Sequence, residues 1–264
     1  MPRTTRTPGR YEPTPRRPPS AVEPVTVNLR RAPAASETAW HNHPWGQLIF
    51  AVSGTLRLAT ADAAWVVPPY RAIWIPPRVE HQAAILSDAD FRTLYVDTGT
   101  SPLPLDACRV MDVSPLMGAL IEALADPEPP AEPRRGLILA LLVEEMRLAR
   151  PLALGLSLPQ DRRLLSLCQA LIEEPAADLS LARWAERVGA SERTLTRLFR
   201  NELGMGFAAW RQQLRLSHAA TLIAQGQRLG EVAGQLGYAN PSAFSAMFKR
   251  AFGSPPSRFF RQQE

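Results

Sequence analysis

The sequence predicts a two-domain α+β chain: a β-rich N-terminal domain, a helical linker and a C-terminal all-α domain with two helix-turn-helix motifs. Three observations predict it. Short apolar runs broken by turn residues occupy 25–96, helical spacing of apolar residues begins at Ser114, and an internal repeat fills the chain after about residue 180. The 264 residues give room for about two domains of roughly 100–200 residues each.

The elements follow in order. Residues 1–24 hold seven prolines among arginines and threonines, a composition that buries little apolar surface and predicts a disordered tail. LIFAVSG (48–54), TLRLAT (55–60), AAWVVPP (63–69), AIWIPP (72–77) and RTLYVD (92–97) read as strands. Their spacing, about ten residues, points to a β-sandwich or barrel over 25–110. Residues 111–159 form the linker region. There SPLMGALIEALAD (114–126) carries Leu116, Leu120, Ile121 and Leu124 on one stripe, PEPPAEP (127–133) breaks the helix, and RRGLILALLVEEMRLAR (134–150) starts a second. LALGLSLP (152–159) reads as an interdomain connection, and 160–264 reads as helical throughout.

Charge separates the halves. Residues 1–20 carry five arginines and one glutamate, 21–160 carry 11 basic and 15 acidic residues, and 161–264 carry 14 basic and nine acidic. A basic C-terminal third beside an acidic middle suits a nucleic-acid-binding module joined to a domain of another kind. There is no apolar run long enough for a membrane span and no apolar core of a secretory signal after the first arginines, so a cytoplasmic protein without membrane partners is expected. Two distant cysteines, Cys108 and Cys168, make no disulfide framework and suit a reducing compartment.

The repeat is anchored on Gly189 and Gly237, 48 residues apart. A short helix precedes each: LARWAERVG and LGEVAGQLG. Each has a small residue four before the glycine (Ala185, Ala233) and an apolar residue directly before it (Val188, Leu236). Leu195, Leu198 and Phe199 after the first glycine correspond to Phe244, Met247 and Phe248 after the second, once one extra turn residue is allowed. Gly204 and Trp210 correspond in the same way to Gly253 and Phe259. Two helices crossing at roughly 90–120° through a tight turn need such a glycine, a small residue at their approach, and apolar positions three and four apart to hold the second helix down. The motifs are placed at 181–202 and 229–252.

The segments SLARWAERVGASERTLTRLFRNELGMGFAAWRQQLRLSHAATLIA and EVAGQLGYANPSAFSAMFKRAFGSPPSRF resemble, along their whole length, the DNA-binding domain of AraC/XylS-type transcription regulators. The resemblance implies double-stranded promoter DNA as partner, with the two motifs in successive major grooves. FAAWRQQLRLSHAATLIA (207–224) takes the place of the connecting helix; about 18 residues span roughly 27 Å, against roughly 34 Å for one DNA turn. Ser191 is a natural N-cap, and Asn240 or Ser242 caps the second recognition helix. The exposed face of the first recognition helix offers Arg193, Thr194, Thr196, Arg197 and Arg200; the family's base-reading positions fall on Arg193, Thr196 and Arg197. The second offers Asn240, Ser242, Ala243, Ser245, Ala246 and Lys249. Ala246 departs from the arginine that many relatives have there, which leaves the second unit weaker in base contacts. Lys249 and Arg250 are expected on phosphates.

In the β region, HNHPWGQ places His41, His43 and Gln47 at odd positions, which predicts one face of one strand. IWIPPRVEH then supplies His81. These segments resemble the two motifs of a cupin barrel, with HxHx3Qx6G first and IPPRVEH second. In metal-binding cupins the positions of His41, His43, Gln47 and His81 hold the ion, and here Gln47 stands for the usual glutamate. Imidazoles suit a divalent metal as possible cofactor; the competing reading is a small-molecule effector site at His41, His43, Gln47, Trp74 and His81, framed by Trp40, Trp45 and Trp65. HPWGQLIFAVSG and WVVPPYRAIWIPPRVEH also resemble a subgroup that includes regulators of nitroimidazole resistance. In this family the helices after the barrel mediate homodimerisation, so the resemblance implies a homodimer, with RNA polymerase as a further partner; the other reading of their apolar surface is burial against the chain's own barrel. The expectation is a one-component, non-enzymatic regulator. The alternatives are a metal-dependent cupin enzyme fused to a DNA-binding domain and an architectural DNA binder without effector.

Overall fold

The computed structural model describes residues 17–260 except Pro104 and Pro129, with the side chain of Ala224 left aside. Of the expected 1–24 tail, residues 1–16 lie outside the described residues. The chain divides into two compact units. One runs to Ala61 and continues through Val66–Leu152; the other is Ala153–Phe259 together with Asp62–Trp65.

The first unit is built on one antiparallel sheet. Its strands are β1 (Val25–Ala32), β2 (Gly46–Ala59), β4 (Arg71–Ile75), β5 (Gln82–Val96), β6 (Arg109–Asp112) and β7 (Pro151–Leu152), while β3 (Ala63–Val67) is divided, with Ala63–Trp65 in the second unit. The pairing path is β1-β5-β2-β4-β6-β7. Two strands read separately from the sequence, 48–54 and 55–60, are one strand. Gly54 marks a bulge in β2, where register shifts against β5 between Ala51 and Leu56. Its φ is +73°, and a Cβ there would lie 2.3 Å from the Asp88 carbonyl oxygen. A glycine at a bulge and a glycine at a turn look alike in sequence. β1, rich in Asn and Arg, was not among the expected strands; it pairs with β5 along its whole length, from Val25↔Val96 to Ala32↔Ala89.

Strand alternation sorts this sheet into two faces. Leu48, Phe50, Trp74, Leu94 and Val96 pack with Met117 and Ile121 of α1 (Pro115–Ala125) and Leu142 and Met146 of α2 (Arg134–Leu148). Gln47 and Tyr95, partners across β2 and β5, point to the opposite face. Ser114 caps α1 by accepting from the Met117 N–H at 2.9 Å, with Pro115 as first helical residue. The buried stripe of α1 is Met117, Leu120, Ile121 and Leu124; Leu116, expected inside, is 45% exposed. On α2, Ile138, Leu142 and Met146 are buried in this core, while Leu137, Leu141 and Leu148 stay exposed.

The second unit holds β8 (Gly155–Ser157), α3 (Arg162–Glu173), α4 (Leu181–Arg187), α5 (Glu192–Leu203), α6 (Phe207–Ala224), α7 (Leu229–Gln235), α8 (Pro241–Phe252) and α9 (Pro256–Phe259). Residues 152–159, read as a plain connection, are structured. Ala63, Ala64 and Trp65 pair with Ser157, Leu156 and Gly155, and the Trp210 indole donates to the Ser157 carbonyl at 3.0 Å. One core joins Leu164, Cys168, Trp184, Leu195, Phe199 and Trp210. Burial pushes the Cys168 thiol up to about 12, which keeps it protonated and unreactive. A second core is aromatic: Phe248 lies 5.8 Å from Phe244, 4.6 Å from Phe252 and 5.2 Å from Phe259, ring centre to ring centre.

Candidate nucleic-acid interface and histidine site

The two duplicated units fold as paired helices, α4 with α5 and α7 with α8. Both turns take a left-handed glycine: Gly189 at φ +66° and Gly237 at φ +74°. Ser191 caps α5, its hydroxyl accepting from the Thr194 N–H at 3.1 Å and lying 2.8 Å from the Thr194 hydroxyl. Asn240 caps α8, its Oδ1 accepting from the Ala243 N–H at 2.8 Å; Ser242 stands exposed inside the helix and does not cap it. Gly204 and Gly253 close the two helices in the left-handed conformation.

The buried stripe of α5 is Leu195, Leu198, Phe199 and Leu203, so the other side faces solvent. Arg193, Arg197 and Arg200 are exposed there, and Thr194 and Thr196 are half-buried. Among the described residues none of these three guanidinium groups forms an ion pair or hydrogen bond, so their donors stay available. With Glu192 and Asn201 they line an open concavity of about 790 Å³. On α8, Ser242, Ala246, Lys249 and Arg250 are exposed and Ser245 is half-buried. Lys249 and Arg250 occupy the last turn, where cations complement the helix dipole.

The histidines meet differently from the expectation. His41 and His43 precede β2 rather than lying on it, because the strand begins only at Gly46. An isolated bridge between His41 and His81 joins the segment before β2 to the one before β5: each N–H donates to the other's carbonyl, at 3.1 and 2.9 Å. One ring nitrogen from each of His41, His43 and His81 falls within 4.8 Å of the others. Each Nδ1–H donates to a backbone carbonyl: His41 to Ala39 at 2.9 Å, His43 to Trp45 at 2.7 Å and His81 to Val79 at 2.8 Å. That fixes the tautomer and turns the Nε2 lone pairs inward. The His41 Nε2 is buried without a hydrogen-bond partner. The His43 Nε2 lies 2.7 Å from the Gln47 Oε1. A neutral imidazole has one N–H, so this second contact needs either a turned Gln47 amide or a cation shared by both atoms.

Burial lowers the pKa of all three histidines, for His81 to about 3, with repulsion between its protonated form and those of His41 and His43 adding to the effect. Neutral at ordinary pH, they are ready as ligands. The donor set of three imidazoles with tied Nδ1 protons and one amide oxygen fits a divalent first-row transition ion. The His43 ring stacks on Trp45 at 5.7 Å, and Tyr95 meets both edge-on at 6.3 and 6.1 Å.

Both halves of the chain match described families. A cupin domain model matches residues 29–97 and a helix-turn-helix domain model matches residues 184–262. The chain is 33% identical over 221 residues to the HTH-type transcriptional regulator NimR of Escherichia coli strain K12, covering 83% of this chain and 81% of that one. This chain belongs to the AraC-type helix-turn-helix transcription regulators. It is 30% identical over 172 residues to the arabinose operon regulatory protein of Salmonella typhimurium, covering 63% of this chain and 59% of that protein. It is 37% identical over 102 residues to the HTH-type transcriptional regulator RipA of Corynebacterium glutamicum, covering 39% and 31%. The chain is thus a DNA-binding transcription regulator with a cupin domain ahead of its DNA-binding domain. No helix among the described residues is long and apolar enough to cross a membrane.

In this regulator Trp74 falls away from the histidine cluster. It pairs with Leu48 on β4, one residue out of phase with Gln47, and so joins the core against α1 and α2. It is fully buried, and a Cβ on Gly46 would lie 2.0 Å from its ring. Trp65 folds with the second unit instead. Tyr95, absent from the sequence reading, takes the place expected of Trp74. Its position depends on the Gln47↔Tyr95 register, which no local pattern announces.

Proposed function

We propose that this chain is a cytoplasmic one-component regulator in which the cupin domain takes an effector at His41, His43, Gln47 and His81 and the DNA-binding domain answers at a promoter. The observation that carries the DNA reading is the row of free guanidinium groups on α5. Arg193 and Arg197, with Thr196, face base edges, where an Arg–guanine pair discriminates by roughly 1–3 kcal/mol. Arg200, Lys249 and Arg250, and the capping residues Ser191, Thr194 and Asn240, face phosphates. Ser242 and Ser245 stand on the same side of α8. Ligand binding shifts the population of DNA-competent arrangements. The exposed Leu137, Leu141 and Leu148 on α2 support a homodimer through that helix, and RNA polymerase is the further partner that a promoter-bound regulator would contact.

A second reading concerns what the cupin site holds. The buried, unpartnered His41 Nε2 and the His43 Nε2 facing a carbonyl oxygen favour a divalent metal on His41, His43 and His81 with Gln47. Such an ion would offer an electrophilic centre to a donor atom of the effector. A regulatory rather than enzymatic role is favoured by the relatives, which are named as transcription regulators.

Genome-wide mapping of binding sites tests the regulator reading. A small set of discrete promoter-proximal sites is expected, and uniform occupancy without preferred sites would overturn it. Calorimetric titration of chelator-treated protein with Zn²⁺ or Ni²⁺ tests the metal reading. One equivalent bound by the wild type and none by His81→Ala is expected; no heat with either ion would leave the small-molecule reading alone.

A further inference from the structure

The two helix-turn-helix units are joined by more than the helix between them. α6 fixes how far apart they lie, but a helix alone does not fix the rotation of the unit beyond its end, where Gly226 bends the chain at φ +82°. Contacts across the middle of α6 do. Arg215 Nε donates to the Pro175 carbonyl at 3.0 Å, in the loop that leads from α3 to α4 and so belongs to the first unit. The same guanidinium lies 5.5 Å from the centre of the Tyr238 ring, in the turn of the second unit. Tyr238 in turn packs edge-on against Phe244 of α8 at 5.6 Å, and Phe244 is fully buried.

The turn itself presses on the first unit. A Cβ on Gly237 would lie 3.1 Å from the Ala176 carbonyl oxygen and 3.3 Å from Arg215 Nη2. One helical turn earlier on α6, Arg211 donates to Asp178 at 3.2 Å and lies 5.4 Å from the Phe207 ring centre, holding the same loop. The chain of contacts thus runs from the Pro175–Asp178 loop through Arg215 and Tyr238 to the core of α8. Arginine suits this place because its several donors can serve the Pro175 carbonyl and the Tyr238 hydroxyl at once while its charge lies near the ring.

We propose that Arg215 is a positioning residue that locks the second recognition helix to the first helix-turn-helix unit, and that this lock sets the single half-site separation the domain accepts. The proposal rests on the reading that both units contact DNA. Adjacent base pairs are about 3.4 Å apart along the helix axis, so a modest rotation of α8 about its joint is enough to admit a neighbouring separation.

Selection from a random duplex DNA pool with the full-length protein tests this. Wild type is expected to recover one strong half-site motif and one weaker motif, made of several small base preferences, at one separation. Arg215→Ala is expected to recover the same two motifs with the separation spread over three or more values. On the selected operator, a one-base-pair insertion between the half-sites should weaken wild type at least tenfold and Arg215→Ala less than threefold. Loss of fold alone lowers binding without broadening the separation. Tyr238→Leu, which leaves Arg215 in place but removes both the ring and the hydroxyl that accepts from it, should broaden it too, and Tyr238→Phe, which removes the hydroxyl alone, should broaden it less than Tyr238→Leu. If Arg215→Ala does not fold, Tyr238→Leu decides. A single unchanged separation in the folded variants overturns the proposal, as does a wild-type selection that yields only one half-site. A wild-type selection with no motif at all overturns the DNA reading on which it rests.

Discussion

The two helix-turn-helix units share a plan and differ in what they expose. α5 presents Arg193, Arg197 and Arg200 to solvent with no ion pair among the described residues; α8 presents Ser242 and Ala246 along its length and gathers its charge, Lys249 and Arg250, in its last turn. The turns differ as well. A Cβ on Gly189 would meet nothing within 4 Å, whereas Gly237 is packed on Ala176 and Arg215. On the proposed reading, the duplicated motif has become one unit built to read and one built to be held. Cations confined to a helix end can neutralise phosphates but reach few base edges, so on that reading the second unit adds affinity more than discrimination.

The largest effect that would break this contrast is at Arg197. Arg197→Ala is expected to lower affinity for the specific site by about 10–100-fold, the range of one bidentate base contact, and non-specific affinity far less. Equal losses in a competition gel-shift would make Arg197 a phosphate contact. Next comes the pair of turn glycines. Both Gly189→Ala and Gly237→Ala force a side chain into left-handed backbone, at a cost of about 1–3 kcal/mol, but only the second also drives a Cβ onto the Ala176 carbonyl. Thermal unfolding should show the larger loss of Tm for Gly237→Ala; a larger loss at Gly189 would mean that the first turn is the packed one.

Smaller effects sharpen the other side. Lys249→Ala is expected to weaken binding by a similar factor on all sequences and to reduce the slope of log affinity against log salt by about one. An unchanged slope would remove Lys249 from the phosphate set. Smallest of all, Ser242→Ala should change specific affinity by less than about twofold, given that Asn240 and not Ser242 caps α8; a loss above tenfold would show that α8 reads bases as strongly as α5.

Much of the DNA-binding domain was legible in the sequence because its signals are local. A left-handed glycine, an N-cap serine and apolar residues at three and four all act within one helical hairpin, and the repeat displays each of them twice. The recognition face follows, since once Leu195, Leu198 and Phe199 are inside, Arg193 and Arg197 must be outside. The cupin half was less legible for the opposite reason. His41 and His81 are 40 positions apart and meet through a bridge between two loops. Trp74 and Gln47 sit on neighbouring strands but on opposite faces, which depends on a register one residue wide. Gly54 carried a turn signal and makes a bulge, because the chain continues straight and only the ladder shifts. Arg215 gave no signal at all: its role exists only where the Pro175 loop and the Tyr238 ring come together.

The most direct test of unequal units is a base-by-base affinity profile of the selected operator, measured for every single substitution with wild type and with Arg197→Ala. Under the contrast drawn from α5 and α8, substitutions in one half-site cost wild type about 10–100-fold each at two or more positions, those in the other stay within about threefold, and Arg197→Ala flattens only the first. Penalties of equal size in both half-sites would contradict it.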